Sequence, residues 1–314
     1  MSLAGLLLTV LWIGLTAYVL FGGADFGGGV WDLLAGHSER ARDQRTLIER
    51  SIGPVWEANH VWLIFVIVVA WTGFPSVFAA IASTLYIPLT LTALGIIARG
   101  SAFAFRKVST LPWQRRLFGA TFAFSSVVTP FFLGTVAGAI ASQRVPPGIA
   151  KGDLITSWIN PTSLACGLLA VGIAAYLAAV YLTYDAQRTG DPVLTETFRR
   201  RALATGLLVG GCSAIGLVIL RADSPELFTE LTSGAALPLV ILSVLAGAAS
   251  LLLLWWRRHL AVRVTAALAV VGLLWGWSAG QYPELLPGVP VREAAATDAV
   301  LAATLGALGV GAVL

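Results

Sequence analysis

The chain has 314 residues, 57% of them hydrophobic and 11% charged, with a mean hydropathy of +0.84. A folded soluble domain leaves roughly half or more of its surface in contact with solvent, so a water-soluble fold of this composition is excluded and lipid is the expected solvent. The formal charge of +4 and pI near 9.4 do not point to nucleic acid, because the basic residues are scattered between apolar runs and form no single face.

A hydrocarbon core about 30 Å thick needs roughly 20 mostly apolar residues per helix. In chain order, runs of that kind cover approximately 3–33, 54–73, 77–98, 117–140, 162–184, 202–220, 235–256, 260–279 and 296–314. They are too long and too uniformly apolar for barrel strands, which predicts an all-α polytopic membrane protein with about nine transmembrane helices. The ninth run is short, and the sequence ends inside it. The first run has no Lys or Arg before it and no small-residue cleavage signature after it, so no removable leader is expected. The longest connection, 35–53, carries charges of both signs and is expected to be solvated. With no repeat, low-complexity tract or long linker, residues 1–314 read as a single transmembrane domain. Cys166 and Cys212 fall within apolar runs without CxxC spacing, and are expected to be small buried hydrophobes.

Lys and Arg collect on the cytoplasmic side of membrane proteins. The odd-numbered connections and their flanks hold sixteen of these residues, Arg99, Arg106 and Lys107 among them, against four in the even-numbered ones. That asymmetry predicts an outside N-terminus and cytoplasmic odd connections. It also gives Arg99, Arg106 and Lys107 their default reading as topology determinants, with lipid head groups as the alternative.

An ionised side chain at the centre of a bilayer costs at least ~2.5 kcal/mol on insertion scales, so an acid inside a span needs a reason. Asp25 lies in Gly22-Gly23-Ala24-Asp25-Phe26-Gly27-Gly28-Gly29, where glycines let backbones approach closely and leave room for water beside the carboxylate. A tight helix crossing with one tolerated acid fits the same residues. Glu57 follows Pro54 at the expected start of the second helix, where the helix dipole favours a carboxylate with or without a function. His60 is three residues on, on the same helix face, and Asn59 stands beside it; a buried acid and imidazole so spaced can exchange a proton. With the N-terminus outside, Asp25 and Glu57 both lie toward the cytoplasm, as the mouth of a proton route would. Gly134 and Gly138 form a GxxxG pair of the kind that packs helices closely.

Histidine occurs only at 37, 60 and 259, and Met1 is the only methionine, so the chain is not expected to build a multi-haem centre alone. It has no P-loop, dinucleotide fingerprint or metal-ligand cluster. A proton-coupled secondary transporter is the main competing reading, although such carriers usually show repeated halves and helices broken near the midplane.

Several segments resemble subunit II of the cytochrome bd-type quinol oxidases. They are the glycine-rich stretch around Asp25, then Pro54-Val55-Trp56-Glu57-Ala58-Asn59-His60-Val61-Trp62-Leu63-Ile64, Phe74-Pro75, and Leu85-Tyr86-Ile87-Pro88-Leu89. Arg99-Gly100-Ser101-Ala102-Phe103-Ala104-Phe105-Arg106, Thr129-Pro130-Phe131-Phe132-Leu133-Gly134 and Trp158-Ile159-Asn160-Pro161 continue it; beyond about residue 202 the similarity rests on helix pattern. The resemblance implies nine helices in two four-helix bundles plus one peripheral helix. It also implies a prokaryotic inner-membrane complex with a haem-bearing subunit I, which carries haem b and haem d, oxidises quinol and reduces dioxygen to water. Subunit II in this family carries no haem; a bound quinone or lipid, and a small accessory subunit, are compatible with the family. The proton route proposed for the family passes through acids matching Asp25 and Glu57, the second often Asp in relatives. Trp62 matches a tryptophan associated with an oxygen path, and packing against the partner subunit is its other reading.

Overall fold

The computed structural model describes every residue except Met1, His37, Pro54, Val55 and Leu314, and leaves aside the side chains of Lys107, Ala312 and Val313. The expected proline start of the second helix therefore lies outside the described residues, as does the side chain of Lys107. The chain folds into helices α1 (Leu3–Ala17), α2 (Gly23–Leu33), α3 (Glu39–Ile52), α4 (Trp56–Gly73), α5 (Pro75–Thr84), α6 (Tyr86–Val108) and α7 (Pro112–Ala141). There follow α8 (Pro161–Arg188), α9 (Pro192–Asp223), α10 (Pro225–Ser233), α11 (Leu237–Trp255) and α12 (His259–Gln281). A short hairpin of β1 (Glu284–Leu286) and β2 (Val289–Pro290), then α13 (Val291–Ala294) and α14 (Asp298–Val313), complete the described order. A π-helical turn, Tyr18–Gly22, joins α1 to α2 without breaking the rod. Among the described residues, eight helices are long and apolar enough to cross a bilayer, α1 and α2 counting as one. The ninth expected span is α14, which is apolar but has only 16 residues and packs on α1 and α4.

Two expectations are corrected here. The run 77–98 is not one helix, because it breaks at Leu85 between α5 and α6. Pro88 has no N–H to give the carbonyl of Thr84, and its ring crowds that carbonyl, so the preceding helix ends there. The segment 35–53 is not a solvated loop. Ser38 caps α3 by accepting from the Ala41 amide, and Ala41, Gln44, Leu47, Ile48 and Ile52 recur at helical spacing and are buried. Charge density hid an amphipathic helix that seals one end of the bundle.

The packing has two main cores. One joins α2 and α3 to α8, α9, α11 and α12 through residues such as Trp31, Ile48, Leu177, Phe198 and Leu254. The other joins α1, α4, α5 and α7 to the hairpin and α14 through Leu7, Val69, Ala80, Ala139, Leu286 and Leu301. Glycines set the closest approaches. A Cβ on Gly27 would lie 1.8 Å from the Ala174 carbonyl oxygen, and one on Gly29 would lie 2.0 Å from Ser126 Oγ. Gly134 and Gly138 bring α7 against the backbone of α8 at Cys166 and Ser163 in the same way, as the GxxxG spacing predicted. Of the cysteines expected to be buried, Cys166 is half-buried and Cys212 is exposed on the outer face of α9. In a chain this apolar, the exposed outer face of a helix is still a place for a small hydrophobe.

Candidate functional site

Asp25 stands in the first turn of α2, one turn past the π-helical turn, and is 3% exposed. A π-turn shifts the register of every side chain after it, and such turns recur at functional sites. Here it turns Asp25 toward α4, where the Asn59 amide donates to Asp25 Oδ2 at 2.8 Å and weakly to the Phe21 carbonyl at 3.4 Å. Asp25 Oδ1 carries no hydrogen bond among the described residues. Ala174, Ile52 and Ser126 occupy the space beside Gly27, Gly28 and Gly29.

Arg99, expected at a membrane surface, lies inside α6 and is 2% exposed. It cannot reach head groups from there. Its Nη2 donates to the Asp25 main-chain carbonyl at 2.9 Å and its Nε to Ser126 Oγ at 3.0 Å. The rings of Phe26 and Phe122 flank the guanidinium at 4.9 and 4.8 Å. A buried cation is tolerable when donors are satisfied, aromatic faces cover it and an anion is near. Asp25 supplies that anion without clamping its carboxylate to the guanidinium.

Around this pair lies a run of buried hydroxyls. Tyr18 Oη, Thr92 Oγ1 and Thr129 Oγ1 are all buried without a hydrogen-bond partner among the described residues. Tyr18 comes from the π-turn and is within electrostatic reach of both Asp25 and Arg99. Thr92 precedes Arg99 by two helical turns on α6, and Thr129 follows Ser126 by one turn on α7 and abuts Gly95. Hydroxyls both donate and accept, but with no partner in reach among the described residues these three are separate polar groups and not a connected chain.

The residues of α4 are not arranged as predicted. Asn59, not Glu57, reaches Asp25. Glu57 is exposed and makes no hydrogen bond or ion pair among the described residues, so it forms no buried acid–imidazole pair with His60. The His60 ring is half-buried and turns toward Phe26, with Nδ1 2.8 Å from the Trp56 carbonyl. A carbonyl only accepts, so in this contact Nδ1 is the donor. Trp62 is half-buried against the cluster of Tyr18, Phe26 and Ala174, edge-on to Phe65 at 6.0 Å. Part of its surface is thus spent on packing within this chain.

A second charged group closes one end of the site, and the sequence reading missed it. Asp32, 5% exposed in the last turn of α2, accepts from Arg45 Nε at 2.8 Å and from Arg106 Nη1 at 3.0 Å. Arg106 also reaches Glu49 Oε1 at 3.3 Å. Arg106 is therefore a bridge between α2, α3 and α6, not a free surface charge. Its signal in the sequence was Asp32 itself, an acid one residue inside the first span.

Among the described residues, no three His, Cys, Asp or Glu side chains gather as a metal site. What the site gathers is a buried Asp25 carboxyl, the His60 imidazole, the Arg99 guanidinium and hydroxyls, all groups that can bear protons.

The comparisons with known proteins agree with one another. Residues 3–314 match the family described as cytochrome bd terminal oxidase subunit II. The chain is 38% identical over 247 residues to cytochrome bd ubiquinol oxidase subunit 2 of Bacillus subtilis (strain 168), covering 77% of this chain and 69% of that protein. It is 28% identical over 185 residues to cytochrome bd-I ubiquinol oxidase subunit 2 of Escherichia coli (strain K12), covering 56% of this chain and 46% of the other. Its fold is similar to a chain of the bd oxidase from Geobacillus thermodenitrificans, with a TM-score of 0.84, 23% identity, and coverage of 100% of this chain and 95% of that one. A membrane-spanning helical fold and a match over nearly all its residues make this chain a member of the cytochrome bd terminal oxidase subunit II family.

Proposed function

We propose that the chain is the haem-free subunit of a cytochrome bd-type quinol:oxygen oxidoreductase, acting as one membrane domain that supports a haem-bearing subunit I and takes up protons from the cytoplasm. Membership of the family over residues 3–314 carries the subunit assignment, and leaves the transporter reading without support. In this reading haem b and haem d belong to subunit I and supply the electron transfer from quinol to dioxygen. Protons for water come from the cytoplasm and quinol releases its own outside, so charge crosses the membrane without a pump. The inside-positive distribution of Lys and Arg favours an outside N-terminus, and this puts Asp25 and the start of α4 on the cytoplasmic side.

The observation that supports a proton role is the state of Asp25, buried with one carboxylate oxygen held by Asn59 and the other without a hydrogen bond among the described residues. Glu57, exposed at the start of α4, acts as the collector. His60 Nε2 and the Tyr18 hydroxyl are the groups through which a proton reaches or leaves the buried carboxylate.

Asp25→Asn in the assembled complex is expected to slow quinol-driven oxygen consumption about tenfold or more, and Glu57→Gln less, with the haem absorption spectrum unchanged. Full turnover in both variants would remove the proton path and leave the subunit assignment intact. The assignment has its own test: mild-detergent purification should bring down a larger partner with reduced-minus-oxidised bands of haem b and haem d. A colourless lone chain would contradict it.

A further inference from the structure

A groove of about 650 Å³ lies where the end of α8 meets the start of α12, far in sequence from Asp25. Tyr184, Gln187 and Arg188 form one side, and Arg258, His259 and Val264 the other. Its charges are unbalanced. The neighbouring arginines Arg199, Arg200 and Arg257 all converge on the carboxylate of Glu196, at 2.8, 2.9 and 3.4 Å. Arg188 and Arg258 are exposed, and neither side chain has an ion pair or hydrogen bond among the described residues. Asp185, the nearest acid along α8, does not line the groove.

Two further observations point to an anion. His259 is only 7% exposed, yet its Nδ1 is buried without a hydrogen-bond partner among the described residues. The first turn of α12 also begins here with no side chain capping its N–H groups, so the positive end of the helix dipole borders the groove. The surroundings then select the kind of anion. Leu260 and Val264, 63% and 60% exposed, continue along α12 away from the charges, and Trp255 and Trp256 are exposed just before Arg257. Paired tryptophans beside arginines at a helix end mark the level of lipid head groups.

We propose that this groove binds an acidic phospholipid, its phosphate held by Arg188 and Arg258 at the start of α12 and its acyl chain lying along Leu260 and Val264. The recognition chemistry is that of a phosphate anion, and the apolar track distinguishes a lipid from free phosphate. The proposal does not depend on the proton path.

The test uses the intact oxidase complex, stripped of lipid in detergent and offered mixed micelles of phosphatidylglycerol or phosphatidylcholine, with retained lipid counted by native mass spectrometry. Phosphatidylglycerol should be retained in preference. The double variant R188Q/R258Q should weaken retention about thirtyfold, since each basic side chain near an anionic head group contributes a factor of about five. Inorganic phosphate should not displace the lipid. Equal retention of the two lipids, unchanged retention in the double variant, or displacement by inorganic phosphate alone would each overturn the proposal. The comparison of lipids on the unaltered complex stands even if the variant fails to assemble.

Discussion

The helices around Asp25 and those at the C-terminal side solve the same problem, folding in oil, in opposite ways. Where α2, α4, α6 and α7 meet, polar groups are drawn inward: Asp25, Asn59, Arg99, Ser126 and Thr129 are all buried. Along α9 and α11 the charges stay at the helix ends, in the Glu196 cluster and at Arg221 and Asp223, and large apolar residues such as Leu207, Leu208, Val218, Val244 and Leu245 face outward. An apolar helix gains nothing from burial against another when lipid is equally apolar, so tight packing there needs no enforcement. A buried cation such as Arg99 does need it, because every loosened contact leaves the charge less well satisfied. The glycines follow this division only in part: those at 27 and 29 touch neighbouring helices and Gly210, Gly211 and Gly216 of α9 have nothing within 4 Å of a built Cβ, but Gly206 of α9 and Gly272 of α12 still mark close approaches to α11.

The sharpest way to break this contrast is to make one substitution in both regions. Gly27→Ala drives a methyl group into the Ala174 carbonyl, a backbone atom that cannot step aside, and should cost about 3 kcal/mol or more. Thermal unfolding of the purified complex should show a large fall or loss of assembly. Gly211→Ala meets nothing and should be neutral or stabilising by less than about 1 kcal/mol. Equal effects at the two sites would mean that the inner region is no more tightly determined than the outer.

The next largest effect separates a buried arginine from an exposed one. Arg99→Lys keeps the charge but not the planar fork that serves the Asp25 carbonyl and Ser126 Oγ together between two phenylalanine rings. A loss of about 2–3 kcal/mol is expected from a broken charge-assisted bond and weaker ring contacts. Arg200, mostly exposed and paired with Glu196 one turn away, should tolerate Lys at a cost of about 0.5 kcal/mol or less. The pair of variants is read by denaturation in one detergent at one ionic strength.

The two regions were also unequally legible in the sequence. Apolar runs announce helices because lipid demands contiguous hydrophobicity, and α4, α8, α11 and α12 lie close to where that rule puts them. An average over twenty residues is blind to a single proline, so the break at Leu85 passed unseen although Pro88 was in view. The same averaging hid α3, whose buried face at Ala41, Leu47, Ile48 and Ile52 shows only when the chain is read at period 3.6. Within the site, Asp25 stood out as an acid among glycines, and Asn59 was noticed only as a neighbour of His60. Arg99 was misplaced because a basic residue near the end of an apolar run is counted with the loop by default. Only the packed structure shows that α6 continues to Val108 and carries that charge inside.

The smallest effect sets the limit of the comparison, an aspartate that water can reach. Asp153, in the connection between α7 and α8, has no counter-ion among the described residues; its Oδ1 accepts from the Thr156 and Ile155 amides at 2.7 and 2.9 Å. Those hydrogen bonds, from the Thr156 and Ile155 N–H groups, hold its carboxyl below the usual carboxylate range, because they favour the charged form. A folded-state value below the unfolded one means that the stabilisation is complete above the unfolded value, about 3.9, and is lost as the pH falls through the folded one. The turn at residues 153–156 should therefore keep constant amide protection at neutral and mildly acidic pH and loosen only in strong acid. Hydrogen exchange at Ile155 and Thr156, corrected for the intrinsic pH dependence, measures this directly. Asp153→Asn, which keeps an acceptor but cannot titrate, should remove the acid loosening while changing protection at neutral pH only slightly. If the loosening persists in that variant, the acid response comes from elsewhere in the connection, and Asp153 does not hold its turn by charge.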